Sequence, residues 1–136
     1  MTSRSEQYAV GFILSLLICL TTLLIPVSAQ ALGLADIELH STLNQPLHAT
    51  IPVSASKDEL KLLEVSLASK KAFQRSGIPR EKVLDSLTIK LIKQVPSPHI
   101  KITSKKSIRE PMLEFVLSIN SGNGSILRGY SLFISP

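Results

Sequence analysis

The sequence has 136 residues, of which 15 are Lys or Arg and 10 are Asp or Glu, so its net charge is +5. It contains one cysteine, which excludes an intramolecular disulfide and requires a folded domain to be held together by packing. The excess of positive charge favours anionic partners such as envelope polymers or lipid head groups, with a charged, soluble surface as the simpler explanation.

The first 31 residues have the pattern of a secretory signal peptide. Arg4 and the free amine precede residues 8–27, which contain no charged side chain, and Ala29-Gln30-Ala31 supplies the small residues of a cleavage site. Pro26 is suited to end an apolar helix just before that site. We therefore predict cleavage after Ala31 and export from the cytoplasm. The alternative is an uncleaved membrane anchor, because about 20 apolar residues can span a bilayer.

Residues 32–136 are long enough for one domain with one modest core. Apolar and polar residues alternate along most of this segment, which is the pattern of half-buried strands. Pro52 lacks the N–H that a ladder needs, so its strand is predicted at a sheet edge or with a bulged end. Residues 121–124, with two glycines and an asparagine, predict a hairpin turn. The seven predicted strands cover residues 37–40, 47–53, 63–67, 87–93, 99–103, 113–119 and 126–134.

The middle of the domain departs from this alternation. Ser69 is a suitable N-cap for a short helix over residues 70–76, and Gly77 is suited to end it. Pro79 lies near the start of a second helical turn, over residues 80–85. We interpret these turns as a crossover between the third and fourth strands. The predicted fold class is therefore all-β, an immunoglobulin-like β-sandwich of about seven strands with a short helical crossover, and a small open barrel is the alternative.

The side chains needed for catalysis or metal binding do not form recognisable motifs. His40, His48 and His99 show no metal-ligand spacing, and no Gly-x-Ser-x-Gly elbow accompanies the serines. We predict no catalytic residue, no metal site and no cofactor. Nucleic-acid binding is disfavoured because stacking aromatics are scarce in residues 32–136 and three of the four are at predicted core positions. These four are Phe73, Phe115, Tyr130 and Phe133.

Two regions of the domain are candidates for binding a partner. The first is the predicted sheet edge at residues 47–53, where backbone groups would be open to another strand. The second is the basic loop at residues 104–111, for which a solvated strand end is the alternative. The candidates are Leu47, Ile51 and Val53 in the first region, and Lys105, Lys106, Arg109 and Pro111 in the second, with Lys101 extending the basic cluster.

Specific strings of residues in the domain suggest a family. The most specific is Leu43-Asn44-Gln45-Pro46-Leu47, which follows an alternating strand. With it, the sequence resembles the N-terminal periplasmic domain of the FimV family, large polar proteins of type IV pilus systems that include TspA and HubP. Two departures are Asn120-Ser121-Gly122, where relatives place a Trp-Pro pair before the glycine, and Gly129 and Ser135, where relatives carry acids. The similar segments, which cover nearly all of residues 32–136, are 31–47, 65–69, 100–104, 109–115 and 127–132.

The resemblance implies a non-enzymatic role in the periplasm. In the family this domain is associated with pilus secretin assembly, twitching motility and cell-pole organisation, so envelope proteins of a pilus or secretion system are the expected partners. Relatives continue into a peptidoglycan-binding LysM module, a transmembrane helix and a cytoplasmic tail, whose functions are not carried over to residues 1–136. We expect no nucleic acid as a partner, and the inner membrane only if the signal is uncleaved. The alternative is an exported enzyme or enzyme inhibitor, which would show a concave site with converging titratable groups.

Overall fold

The computed structural model describes residues 4–22 and 32–136. Helix α1 spans Arg4–Thr22. Within the two described ranges, no helix combines the length and the hydropathy that crossing a membrane requires. The predicted cleavage site at Ala29-Gln30-Ala31, and Pro26 before it, lie outside the described residues.

Residues 32–136 form two antiparallel sheets, which confirms the predicted two-sheet β-sandwich. The strands are β1 (Gly33–Leu34), β2 (Glu38–Leu39), β3 (Pro46–Ser54), β4 (Glu64–Leu67), β5 (Leu87–Ile92), β6 (His99–Ser107), β7 (Met112–Asn120) and β8 (Ser125–Phe133). The larger sheet has the order β1-β3-β6-β5, and β2 also pairs with β3. The smaller sheet has the order β4-β7-β8. Strand β8 is therefore an edge strand.

Pro52 lies in a central strand, so the prediction that it marks a sheet edge is wrong. Strand β3 pairs with β6 on one side and with both β1 and β2 on the other. The carbonyl of Pro52 accepts a hydrogen bond of 3.1 Å from the N–H of Ala35, in the segment between β1 and β2. The N and C=O of one strand residue point to the same side. The N–H that Pro52 lacks would therefore point to the segment between β1 and β2, where the pairing with β3 is interrupted. The first predicted strand, residues 37–40, is found as the shorter β2, and β1 at Gly33–Leu34 is absent from the prediction.

The helical crossover confirms the local capping signals in the sequence. Helix α3 spans Lys70–Ser76, the Ser69 hydroxyl accepts a hydrogen bond of 3.2 Å from the N–H of Ala72, and Gly77 ends the helix at a φ of 72°. A left-handed φ of this kind suits glycine because it has no Cβ. The second turn is a 3₁₀ helix at Lys82–Ser86, two residues later at its start than predicted.

Helix α2, at Lys57–Leu62, is absent from the sequence-based prediction. Its start is a capping box, in which the Glu59 N–H donates to the Ser56 hydroxyl (3.2 Å) and the Ser56 N–H donates to the Glu59 carboxylate (2.7 Å). The backbone hydrogen bond from Ser56 lowers the pKa of the Glu59 carboxyl. The Ser-x-x-Glu spacing of Ser56 and Glu59 is typical of a helix N-terminus and could have predicted this helix.

The hydrophobic core lies between the two sheets. Strand β3 shows the expected period of two, with Leu47, Ala49, Ile51 and Val53 all buried. Strand β7 of the other sheet also contributes to the core, and its residues Phe115, Val116 and Leu117 are completely buried. The core cluster found among the described residues lies entirely within residues 32–136. This segment therefore has the packed interior of an independently folding domain.

Candidate functional site: a basic groove beside a bulge

A bulge in β6 exposes two of the predicted basic residues. The β3–β6 ladder is regular from Pro52 and His99 to His48 and Thr103, and then resumes only at Pro46 and Ser107. Residues 104–106 thus lie opposite Leu47 alone. A bulge bends its strand and redirects its side chains. Lys105 and Lys106 within it are both exposed.

The Ser104 side chain supplies hydrogen bonds where the bulge interrupts the ladder. Ser104 is buried, with 9% of its surface exposed. Its hydroxyl accepts a hydrogen bond of 2.7 Å from the Leu47 N–H and donates one to the Lys106 carbonyl. A bulge otherwise leaves buried backbone groups without partners, at a cost of about 1–3 kcal/mol each. Ser104 therefore fixes the backbone that carries the two lysines.

A turn before β3 holds the next part of the site. Asn44 has a φ of 66°, a conformation that asparagine tolerates better than most residues. Its N–H donates to the Ile108 carbonyl (2.8 Å), and the Ile108 N–H donates to the Gln45 carbonyl (3.0 Å). Ile108 is buried, and these hydrogen bonds fix its backbone. The position of the next residue, Arg109, at the surface is therefore fixed as well. The Leu-Asn-Gln-Pro-Leu string is thus a structural support for this loop.

These elements enclose a basic groove, which we define by the side chains of Lys82, Lys105, Lys106 and Arg109. The groove has a volume of about 550 Å³. One wall is the 3₁₀ helix, which carries Lys82, and the other is the β6 bulge with the loop that follows it. Val83 and Leu87 contribute apolar surface, and Asp85 and Glu110 are the acids in the lining.

The charges in the basic groove are only partly balanced. Asp85 accepts a hydrogen bond of 2.7 Å from Arg80, which lies outside the lining. Glu110 accepts one of 3.1 Å from the backbone N–H of Arg109. None of the four basic side chains of the groove forms an ion pair in the described part of the chain. The groove is therefore suited to receive carboxylates or other anions.

The structure brings together some of the sequence-predicted residues and separates others. Lys105, Lys106 and Arg109 share the groove. Pro111 is exposed at the end of the loop, where its carbonyl accepts a hydrogen bond of 2.8 Å from Ile134. Lys101 lies opposite Lys90 in the β5–β6 ladder and does not line the groove.

Lys82 belongs to the basic groove but was not predicted from the sequence. Its chain position is more than twenty residues before Lys105, and only the packing of the 3₁₀ helix beside β6 brings the two lysines into one lining. No local pattern signals this approach.

Leu47, Ile51 and Val53 are not available as surface contacts, so their selection as interaction candidates is corrected. Their exposed fractions are 2%, 0% and 6%. The reason is that β3 is central and turns these side chains into the core, while the backbone is already paired on both sides.

The histidines lie away from the basic groove. His40 Nε2 is 2.7 Å from the Thr50 hydroxyl, and His99 Nδ1 is 3.0 Å from the Ser97 carbonyl. No histidine lines the groove. Within residues 4–22 and 32–136, no three metal-ligating side chains are grouped.

Burial raises the pKa of Tyr130, which lies in the core beside Phe115.

The fold and the groove define a small β-sandwich domain with a basic groove on its surface. Residues 32–136 match the family model of the FimV N-terminal Ig-like domain, and the chain belongs to this family. The immunoglobulin-like fold class and the family resemblance are thereby confirmed.

Two similar proteins are the motility hub protein FimV from two strains of Pseudomonas aeruginosa. Each is 38% identical to the chain over 111 residues. The alignment covers 79% of this chain but only 12% of each relative, so the chain spans a small part of the relatives' length. No solved structure matches the chain.

We predict that Ser104→Ala destabilises the domain and loosens the bulge. The Lys106 carbonyl and the buried Leu47 N–H would lose their common partner. The unpaired Leu47 N–H should lower the free energy of unfolding by about 1–3 kcal/mol. Urea denaturation of residues 32–136 measures this. Ser107→Ala, at an exposed position of the same strand, is the matched control and should change stability by less than about 0.5 kcal/mol. Equal effects of the two substitutions would contradict the role of Ser104.

Proposed function

We propose that residues 32–136 are a non-enzymatic protein-interaction module that acts in the periplasm in type IV pilus assembly. Its role would lie in secretin assembly, twitching motility or cell-pole organisation. The observation that carries the proposal is the basic groove, whose four cations have no ion-pair partner in the described residues. The groove would hold an acidic segment of an envelope protein of the pilus system.

The chemistry of the groove suits an acidic peptide better than an enzyme substrate. An exposed ion pair contributes at most about 1 kcal/mol, so several carboxylates must bind together to give useful affinity. Lys105 and Lys106 are adjacent in sequence, and Lys82 faces them from the other wall. Val83 and Leu87 add apolar contact for side chains between the acids. We therefore expect a partner segment with several acids and strong dependence of binding on salt.

An exported enzyme or enzyme inhibitor remains the competing hypothesis. An enzyme needs a nucleophile or an acid and base that converge on a substrate. The lining of the groove contains serines and lysines but no histidine. The chain belongs to the FimV N-terminal family, and a similar protein is named a motility hub protein. Both observations also support an interaction role.

Charge reversal tests the groove. We expect the double variant Lys105→Glu and Lys106→Glu of residues 32–136 to weaken capture of pilus secretin and its envelope partners at least about tenfold, or about 1.4 kcal/mol. The control is Lys90→Glu with Lys101→Glu, which makes the same change in net charge on an exposed cross-strand pair outside the groove.

Each pilus protein and purified peptidoglycan sacculi should be tested separately in these pull-downs. Retention by the control and loss by the groove variant supports the proposal. Equal binding of both variants, or binding to sacculi alone, would show that the groove is not the site for pilus proteins.

Export is proposed from the signal pattern of residues 1–31. N-terminal sequencing of the protein recovered from cell envelopes should give a mature start at Leu32, because cleavage is expected after Ala31. A start at Met1 in the membrane fraction would instead favour the uncleaved anchor.

A further inference from the structure

Strand β8 presents a long, regular and open edge. It has nine residues and pairs with β7 without a shift from Met112 and Phe133 to Asn120 and Ser125. Among the described residues, no strand pairs with its other side. It contains neither proline nor lysine, the residues that commonly protect sheet edges from further pairing.

The free backbone groups of this edge follow from the ladder. The Ser121 N–H donates to the Gly124 carbonyl at one end of the hairpin, and the Ile134 N–H donates to the Pro111 carbonyl at the other. Antiparallel pairs alternate between bonded and non-bonded, so every second residue of β8 directs its N–H and C=O away from β7. These outward residues are Ser125, Leu127, Gly129, Ser131 and Phe133.

The same residues leave apolar side chains uncovered. Leu127 is 43% exposed and Phe133 is 71% exposed. Between them are Gly129 and Ser131, which are small. The one charge of the strand, Arg128, is half-buried with its guanidinium carbon 5.4 Å from the centre of the Tyr130 ring in its own domain.

We propose that β8 pairs antiparallel with β8 of a second copy, about a twofold axis at Tyr130. In this register Leu127 lies opposite Phe133 of the second copy, and Gly129 lies opposite Ser131. The four pairs within residues 127–133 then all have both backbone groups available, and each can exchange two hydrogen bonds. The pairing ends there, because Ser125 would lie opposite Ser135, whose carbonyl already accepts a hydrogen bond of 2.9 Å from the Leu43 N–H. The two three-stranded sheets become one continuous sheet.

Neighbouring registers lack this match. Moving the axis by one residue in one direction places Leu127 opposite Ser131 and Phe133 opposite Ser125. Moving it the other way places Leu127 opposite Ser135 and Phe133 opposite Gly129. Only the register centred on Tyr130 gives both Leu127 and Phe133 an apolar partner. It also sets Arg128 opposite Leu132, so the two arginines do not face each other.

The proposed pairing goes beyond the proposed function and does not depend on it, because the basic groove contains no residue of β8. One edge strand forms a small interface, so the dimer should be weak and reversible. Self-association would place two basic grooves in one assembly and increase avidity for a partner with repeated acidic segments.

Sedimentation velocity over a concentration series of residues 32–136 tests the pairing. We expect the dimer fraction to rise with concentration in the wild-type domain, and Leu127→Lys or Phe133→Lys to raise the dimer dissociation constant at least about tenfold. Leu62→Lys is the control, because Leu62 is 61% exposed on α2 rather than on the β8 edge. A monomer at every concentration, or a dimer unaffected by the β8 variants, would overturn the proposal.

Cysteine pairing tests the register, since the only natural cysteine, Cys19, lies outside residues 32–136. Opposed residues have Cα atoms about 5.5 Å apart, within the range for a disulfide. Under mild oxidation, a mixture of Leu127→Cys and Phe133→Cys domains should therefore form a mixed disulfide dimer. Neither variant alone should do so. Cross-linking of either variant with itself at the same rate would exclude the proposed axis.

Discussion

The hydrogen bonds of the Ser104 hydroxyl are the constraint on which the basic groove depends. Strand β6 enters the core beside β3 and β5, and the bulge then turns Lys105 and Lys106 away from the ladder. Without the hydroxyl, this change of direction would leave the buried N–H of Leu47 and the carbonyl of Lys106 without this partner. One small polar side chain in an apolar core thus joins the packing of the sandwich to the geometry of the basic groove.

Sequence patterns predicted the features that depend on local chemistry. Strand alternation and the Ser69 and Gly77 caps found most strands and helix α3, because neighbouring residues decide these structures. The prediction that Pro52 marks a sheet edge failed because proline is tolerated here through a break between β1 and β2. That break belongs to another segment of the chain and cannot be read from the residues around Pro52. For the site, the sequence indicated Lys105, Lys106 and Arg109, but it could not indicate Lys82 or exclude Lys101, since tertiary packing and strand register decide both.

Gly129 allows close packing at the proposed edge. A Cβ at this position would lie 3.0 Å from the Cδ1 of Ile78, so the absence of a side chain allows Ile78 to pack closely on β8. A side chain here would require Ile78 to shift. The groove and the edge are separate surfaces, and their pairing in one domain would join partner binding to self-association.

In the proposed function, the bulge and the 3₁₀ helix together bind acidic segments. The decisive experiment is a titration of ¹⁵N-labelled residues 32–136 with a glutamate-rich peptide, followed by NMR. We expect amide shifts to concentrate at Lys82, Lys105, Lys106 and Arg109 and to diminish as salt is added. Shifts that are equally large at Lys90 and Lys101, or no shifts at the groove, would contradict it.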